Sequence, residues 1–178
     1  MKKRIAVVCP GRGSYTKETL GYLKPHQKKS GEFIRKMDAL REGDGLPSIT
    51  DLDEAPQYKI NLHSKGEHAS SLIYSCSYAD FMSIDRSKSE VVAITGNSMG
   101  WYIALALAQS LSPEGAYQLI QTMGSMMRVQ LIGGQIIYPI VDESWHIDPQ
   151  KRELVEREME KARSEGAVYI SIELGGYL

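Results

Sequence analysis

The sequence predicts an α/β fold. Two short apolar runs, Ile5-Ala6-Val7-Val8-Cys9 and Val91-Val92-Ala93-Ile94, each end in a glycine-rich turn, the pattern of a buried strand. Between and after them, apolar residues recur at helical spacing. A strand–helix–strand alternation fills residues 135–174, as expected of α/β architecture.

The elements follow in order. Residues 5–9 form the first strand, stopped by Pro10-Gly11-Arg12-Gly13-Ser14. Residues 17–23 suit a short helix, and residues 31–40 a longer one through Phe33, Ile34, Met37 and Leu40. Residues 41–57 are polar and hold several glycines, prolines and aspartates, so they read as irregular loop with short helices at best. Residues 67–84 are helical, with Leu72, Ile73, Cys76, Ala79 and Phe81 on the apolar side. The second strand, residues 91–94, feeds Gly96-Asn97-Ser98-Met99-Gly100 and a helix over residues 101–111. Ser112-Pro113-Glu114 restarts a helix, with serine as N-cap, proline at the first helical position and an acid in the first turn. That helix runs to about Val129, and Gly133-Gly134 breaks it. Residues 135–141 are a strand candidate, Asp148-Pro149 opens a charged helix through Glu165, and residues 167–174 are a further strand. The change of character divides the chain into residues 1–130 and a smaller α/β unit, residues 131–178. That unit reads as half a subdomain, so the chain is expected to be a piece of a longer protein.

Composition narrows the function classes. With 42% hydrophobic residues, 24% charged residues and a net charge of −1, no nucleic-acid partner is expected. Cys9 and Cys76 lie in or beside apolar runs without metal-ligand spacing, which fits reduced core thiols and no metal. The N-terminal apolar run is too short for a signal peptide and no stretch is long enough to span a bilayer. A cytoplasmic protein with no membrane partner is expected.

Gly96-Asn97-Ser98-Met99-Gly100 carries the chemistry. A serine on a sharp strand-to-helix turn, flanked by glycines, matches a nucleophile elbow. Its hydroxyl would stand near the first N–H groups of the helix, which stabilise a developing oxyanion. Taken alone, the turn equally fits a serine that merely caps a helix. Gly11 and Gly13 resemble half of a phosphate-cradling loop, but no Lys-Ser/Thr or G-x-G-x-x-G completes it.

The two glycine turns in this order resemble those of the malonyl-CoA:acyl-carrier-protein transacylases and related acyltransferase domains. There the first strand ends in a PGQGSQ-type turn and the elbow reads GHSxG. The likeness continues in patches through Tyr102, Ala104, Leu105, the stretch Leu111-Ser112-Pro113-Glu114-Gly115-Ala116, Gly124, Met126, Met127 and Gly133-Gly134. It implies a three-layer parallel-sheet core of the lysophospholipase/transacylase kind, followed by the first half of a small ferredoxin-like subdomain. It further implies Ser98 as the nucleophile that takes an acyl group from acyl-CoA and passes it to an acyl carrier protein. Acyl-CoA is then a substrate, and no bound cofactor is implied. The backbone N–H groups of Arg12 and Met99 would form the oxyanion hole, and Gly11, Gly13, Asn97, Met123 and His68 would line the substrate site.

Departures from the family pattern modify this expectation. Arg12 stands in place of glutamine, and Asn97 in place of the histidine before the serine. The arginine that pairs with a malonyl carboxylate lies 25 residues beyond the nucleophile, where this chain has Met123. A buried carboxylate without that arginine costs several kcal/mol, on the order of 3–5. Arg128 does not replace it, since five helical positions turn a side chain about 140° away. Met123 therefore favours an uncharged acyl group such as acetyl, propionyl or longer. The family's histidine base has no counterpart among His26, His63, His68 and His146, for which surface or capping roles are expected. The fragment is accordingly expected to be inactive in turnover. A serine hydrolase (an acyl thioesterase or a patatin-like lipase) and a non-catalytic relic that binds a carrier protein remain alternatives.

Overall fold

The sheet around which the chain is built has two strands, β1 (Lys3–Cys9) and β2 (Ser89–Gly96), paired in parallel. This computed structural model describes residues 1–126, 134 and 136–178. A parallel pair needs a long crossover, and here the crossover is four helices: α1 (Gln27–Gly43), α2 (Ile49–Asp53), α3 (Ile60–His63) and α4 (Gly66–Ser83). Beyond β2 come α5 (Gly100–Leu107) and α6 (Pro113–Met126). The chain separates into two units, Met1–Gln130 and Leu131–Leu178.

Side-chain alternation fixes which face of β1 is covered. Ile5, Val7 and Cys9 turn toward the core, whereas Ala6 and Val8 face out, and Val8 is 72% exposed. The register slips between Ile5, which pairs with Val91, and Ala6, which pairs with Ala93. Val92 is thus the extra residue of a bulge, and it too faces out. The sequence pattern predicts buried strands; the structure covers them on one face and leaves Ala6, Val8, Val92 and Ala93 exposed. A three-layer core, implied by the resemblance, is not established by this two-stranded sheet.

Helix α5 packs on both strands and α4 packs along α6. The core runs from Cys9 and Tyr15 through Phe33, Ile34 and Met37 of α1 and Leu72, Ile73 and Tyr74 of α4 to Ile103 of α5 and Ile120 of α6. At the α4–α6 crossing two glycines meet, Gly66 and Gly124. A Cβ on either would overlap the other's backbone carbonyl.

Several boundaries differ from the sequence reading. Residues 17–23 form a 3₁₀ turn at Lys17–Thr19 rather than a helix, and a second such turn, Lys24–His26, leads into α1. Helix α1 is longer than expected at both ends, because Leu23 behind its entry and Arg41 in its last turn are both buried. Helix α5 stops at Leu107, where Gln109 adopts a left-handed φ of +59°. Ser112 caps α6 as read, its Oγ accepting from Gly115 N–H at 3.1 Å. The continuation of α6 to Val129, the Gly133 break, Met127, Arg128 and the start of the next element at Gln135 lie outside the described residues.

In the second unit, α7 (Pro149–Arg163) forms as expected, with Asp148 capping the N–H groups of Gln150 and Lys151. The two flanking segments, read as strands, are not strands within the described residues. Only isolated bridges occur, Pro139 with Tyr177 and Val141 with Ile147. Apolar β-rich sequence forms a strand only where a ladder partner lies alongside. Among the described residues, no helix is long and apolar enough to cross a membrane.

Candidate active site

Ser98 sits at the corner where β2 ends and α5 begins, exposed and with φ +53°. That left-handed conformation costs a residue with a Cβ about 1–2 kcal/mol, so the surrounding structure must impose it. Two glycines allow it. A Cβ on Gly96 would collide with the carbonyl of Gly100, and one on Gly100 with the carbonyl of Cys9 at the end of β1. The start of α5 is thereby pressed against both strand ends, and Ser98 is carried over the top of the turn.

The turn after β1 comes to the same place. A Cβ on Gly11 would lie 3.3 Å from Asn97 O and 3.6 Å from Ser98 Cβ. Gly13 in this turn has φ +95°, and Ser14 Oγ donates to Gly11 O at 3.1 Å. The structure therefore brings Gly11 against Asn97 and Ser98, more than eighty residues further along the chain. The backbone N–H groups of Arg12 and Met99 donate to no described residue, whereas Gly100 N–H is taken by Asn97 O at 2.8 Å.

Arg12 reaches across to the α4–α6 crossing. Its Nη1 lies 3.3 Å from the position of a Gly66 Cβ, and Gly66 abuts Gly124. Met123, the neighbour of Gly124, is half-buried on α6. Arg12, Gly66 and Gly124 thus form a chain of contacts leading from the first turn to the residue before Gly124.

Surface or capping roles were expected of the histidines of the first unit; His26 stands at the N-cap of α1, while His63 and His68 are buried rather than at the surface. His63 is buried between Tyr58 and Tyr15. Its Nε2–H donates to Leu52 O at 3.0 Å and its Nδ1 accepts from Lys59 N–H at 3.0 Å. His68 is buried too, and its Nδ1 accepts from Arg41 Nη2 at 2.8 Å. Burial, and then the facing Arg41 charge, hold the His68 pKa below its ordinary value. His26 is half-buried, 3.2 Å from Ser83 Oγ and stacked on Tyr22. No described side chain hydrogen-bonds Ser98 Oγ.

The sequence reading missed Arg41. Its guanidinium is fully buried and donates to Pro47 O (2.6 Å), Glu67 O (2.9 Å), Gln121 Oε1 (3.1 Å) and His68 Nδ1. Gln121 Oε1 also accepts from Ser71 Oγ at 2.6 Å. One cation therefore ties α1, the loop before α2, α4 and α6 together, and each acceptor offsets part of its burial cost. The one sequence signal for it was an arginine at the end of an amphipathic run.

Among the described residues no group of His, Cys, Asp or Glu is arranged to hold a metal ion. Cys9 and Cys76 are unpaired thiols, and burial raises the pKa of both.

No protein-family model matches the sequence, and no curated protein does. Among solved structures, the chain is similar to the malonyl CoA-acyl carrier protein transacylase from Coxiella burnetii. The TM-score is 0.62 at 19% identity, over 96% of this chain. The chain spans 62% of that protein's length. At this identity the likeness is one of fold.

Proposed function

We propose that the chain carries the nucleophile of an acyltransferase that moves an acyl group from coenzyme A to the thiol of an acyl carrier protein. The observation that supports this is the placement of Ser98. It is an exposed serine held at φ +53° on a strand-to-helix turn, with a second glycine turn packed against it. Strain of this kind in a non-glycine residue is typical of functional positions.

In this reading Ser98 Oγ attacks the thioester carbonyl, and the proton it loses ends on the departing coenzyme A sulfur. The carbon–sulfur bond breaks as the tetrahedral intermediate collapses, coenzyme A leaves as the thiol, and the acyl group is left as a Ser98 ester. The carrier-protein thiol reverses the sequence. Arg12 and Met99 N–H, uncommitted to any described group, supply the oxyanion donors. None of His26, His63 and His68 hydrogen-bonds Ser98 Oγ; their ring nitrogens meet Ser83, Leu52 O and Arg41 respectively. Asn97 and Gly13 border the acyl group, and apolar Met123 selects an uncharged one.

Intact-mass analysis of the full-length protein that carries this chain, after incubation with acetyl-CoA and malonyl-CoA, tests the reading. An acetyl adduct on Ser98, absent from Ser98→Ala and transferable to a carrier protein, is the expected result, with Met123→Arg shifting loading toward malonyl. Preferred malonyl loading by the unaltered chain would overturn the selectivity. An adduct released only to water would make the protein a serine hydrolase, and no adduct with any acyl-CoA would remove the nucleophile role.

A further inference from the structure

The turn that packs against Ser98 is tied down at its far end by a buried pair. Tyr15 follows Ser14 directly, is 5% exposed, and donates its hydroxyl to Asp53 Oδ1 at 2.6 Å. Asp53 is 1% exposed, closes α2, and accepts Leu23 N–H on its other oxygen at 3.0 Å. Its backbone carbonyl accepts Gly21 N–H at 2.8 Å. The His63 ring lies parallel to that of Tyr15, with centroids 6.4 Å apart and planes within 5°. His63 is fixed in turn by the carbonyl of Leu52, the residue before Asp53. Burial, and then the Asp53 hydrogen bond, push the Tyr15 phenol well above its ordinary range, so it keeps its proton and remains the donor.

Within residues 10–14 the one side-chain hydrogen bond is local, from Ser14 Oγ to Gly11 O. The turn contains two glycines, one of them at φ +95°. Beyond its packing on Asn97, Ser98 and Gly66, its fixed hydrogen-bonded points are its two ends, β1 on one side and Tyr15 on the other. We propose that Tyr15, held by Asp53 and backed by His63, is a positioning residue that fixes the Gly11–Ser14 turn, and with it the Arg12 N–H, against Ser98. The inference rests on the acyl-transfer reading for its consequence, but the anchoring is tested without it.

Tyr15→Phe keeps the ring and its stacking while removing the donated hydrogen bond. Backbone order parameters from nitrogen relaxation on the whole chain should fall at Gly11–Ser14 from about 0.85 toward 0.6. Those in α4 and α6 should not change. Tyr117→Phe, which loses the same kind of hydrogen bond (Tyr117 hydroxyl to Asp44 Oδ2, 2.7 Å) away from α2 and the turn, controls for general destabilisation and should leave the turn ordered. The rate of Ser98 acylation by acetyl-CoA should drop roughly tenfold or more in Tyr15→Phe without weaker acetyl-CoA binding, as for a donor moved out of line. An unchanged turn, a loss of order spread over the whole unit, or the same loss in Tyr117→Phe would overturn the proposal. A loosened turn together with a parent chain that is never acylated would uphold the anchor and sink the acyl-transfer reading.

Discussion

At φ +53° Ser98 holds a conformation that a glycine adopts freely. Its cost is a property of the folded state and is separable from any chemistry of the hydroxyl. Ser98→Gly relieves the strain but adds freedom to the unfolded chain, while Ser98→Ala does neither. Urea unfolding should therefore find the glycine variant more stable than the alanine variant by about 0.5–1 kcal/mol. Equal stabilities would mean that the left-handed turn is not imposed by the fold. The turn itself was legible in the sequence, because a glycine two residues on either side of a serine after an apolar run is a local signal. The strand ends that force Ser98 over were not, because Cys9 is about ninety residues away.

Among the elements, the crossing of α1, α4 and α6 depends on a charge to which no carboxylate among the described residues is directly hydrogen-bonded. Arg41 is held by two backbone carbonyls, Gln121 Oε1 and the lone pair of His68 Nδ1. His68 can accept there only while neutral. Around it stand Arg41 from α1, Glu67 beside it with Oε1 3.7 Å from Nε2, Lys65 at the start of α4, and His63 from α3. The folded pKa lies below the ordinary value of 6.5, so below pH 6.5 the unfolded chain binds a proton that the folded chain refuses. Stability is then full above pH 6.5 and falls as pH drops toward the folded pKa, by at most about 1.4 kcal/mol per pH unit. Urea midpoints measured from pH 7.5 to 5 should show this decline, and His68→Gln should flatten it relative to the parent chain. An unchanged slope in the variant would show that His68 is not the group responsible. Nothing in the local sequence marked this network, since its members are 27 and 80 residues from Arg41. Helix existence followed from local periodicity, whereas the partners of a buried guanidinium follow from which helices cross.

Over the whole molecule, the first unit buries one face of its sheet and leaves the other open. Val8 and Val92 face outward, whereas Ile103 on α5 is fully buried. Val8→Thr should shift stability by less than about 0.5 kcal/mol, while Ile103→Ala should cost about 2–5 kcal/mol. Thermal and urea unfolding of the two variants compares them directly. A large loss from Val8→Thr would mean that the outward face is covered in solution. By itself the sequence determined the α/β class, the positions of most helices, the serine at the head of α5 and the glycine turns that border it. All of these are set by short-range patterning and by residues whose backbone preferences act locally. Only the tertiary structure decided that the two turns meet, that His63 and His68 are buried, that Arg41 joins three helices, and that the last apolar segments, among the described residues, pair only at isolated bridges. Each of these depends on a partner distant in the chain, and a contact between distant residues is set by the packing of whole elements rather than by their local pattern.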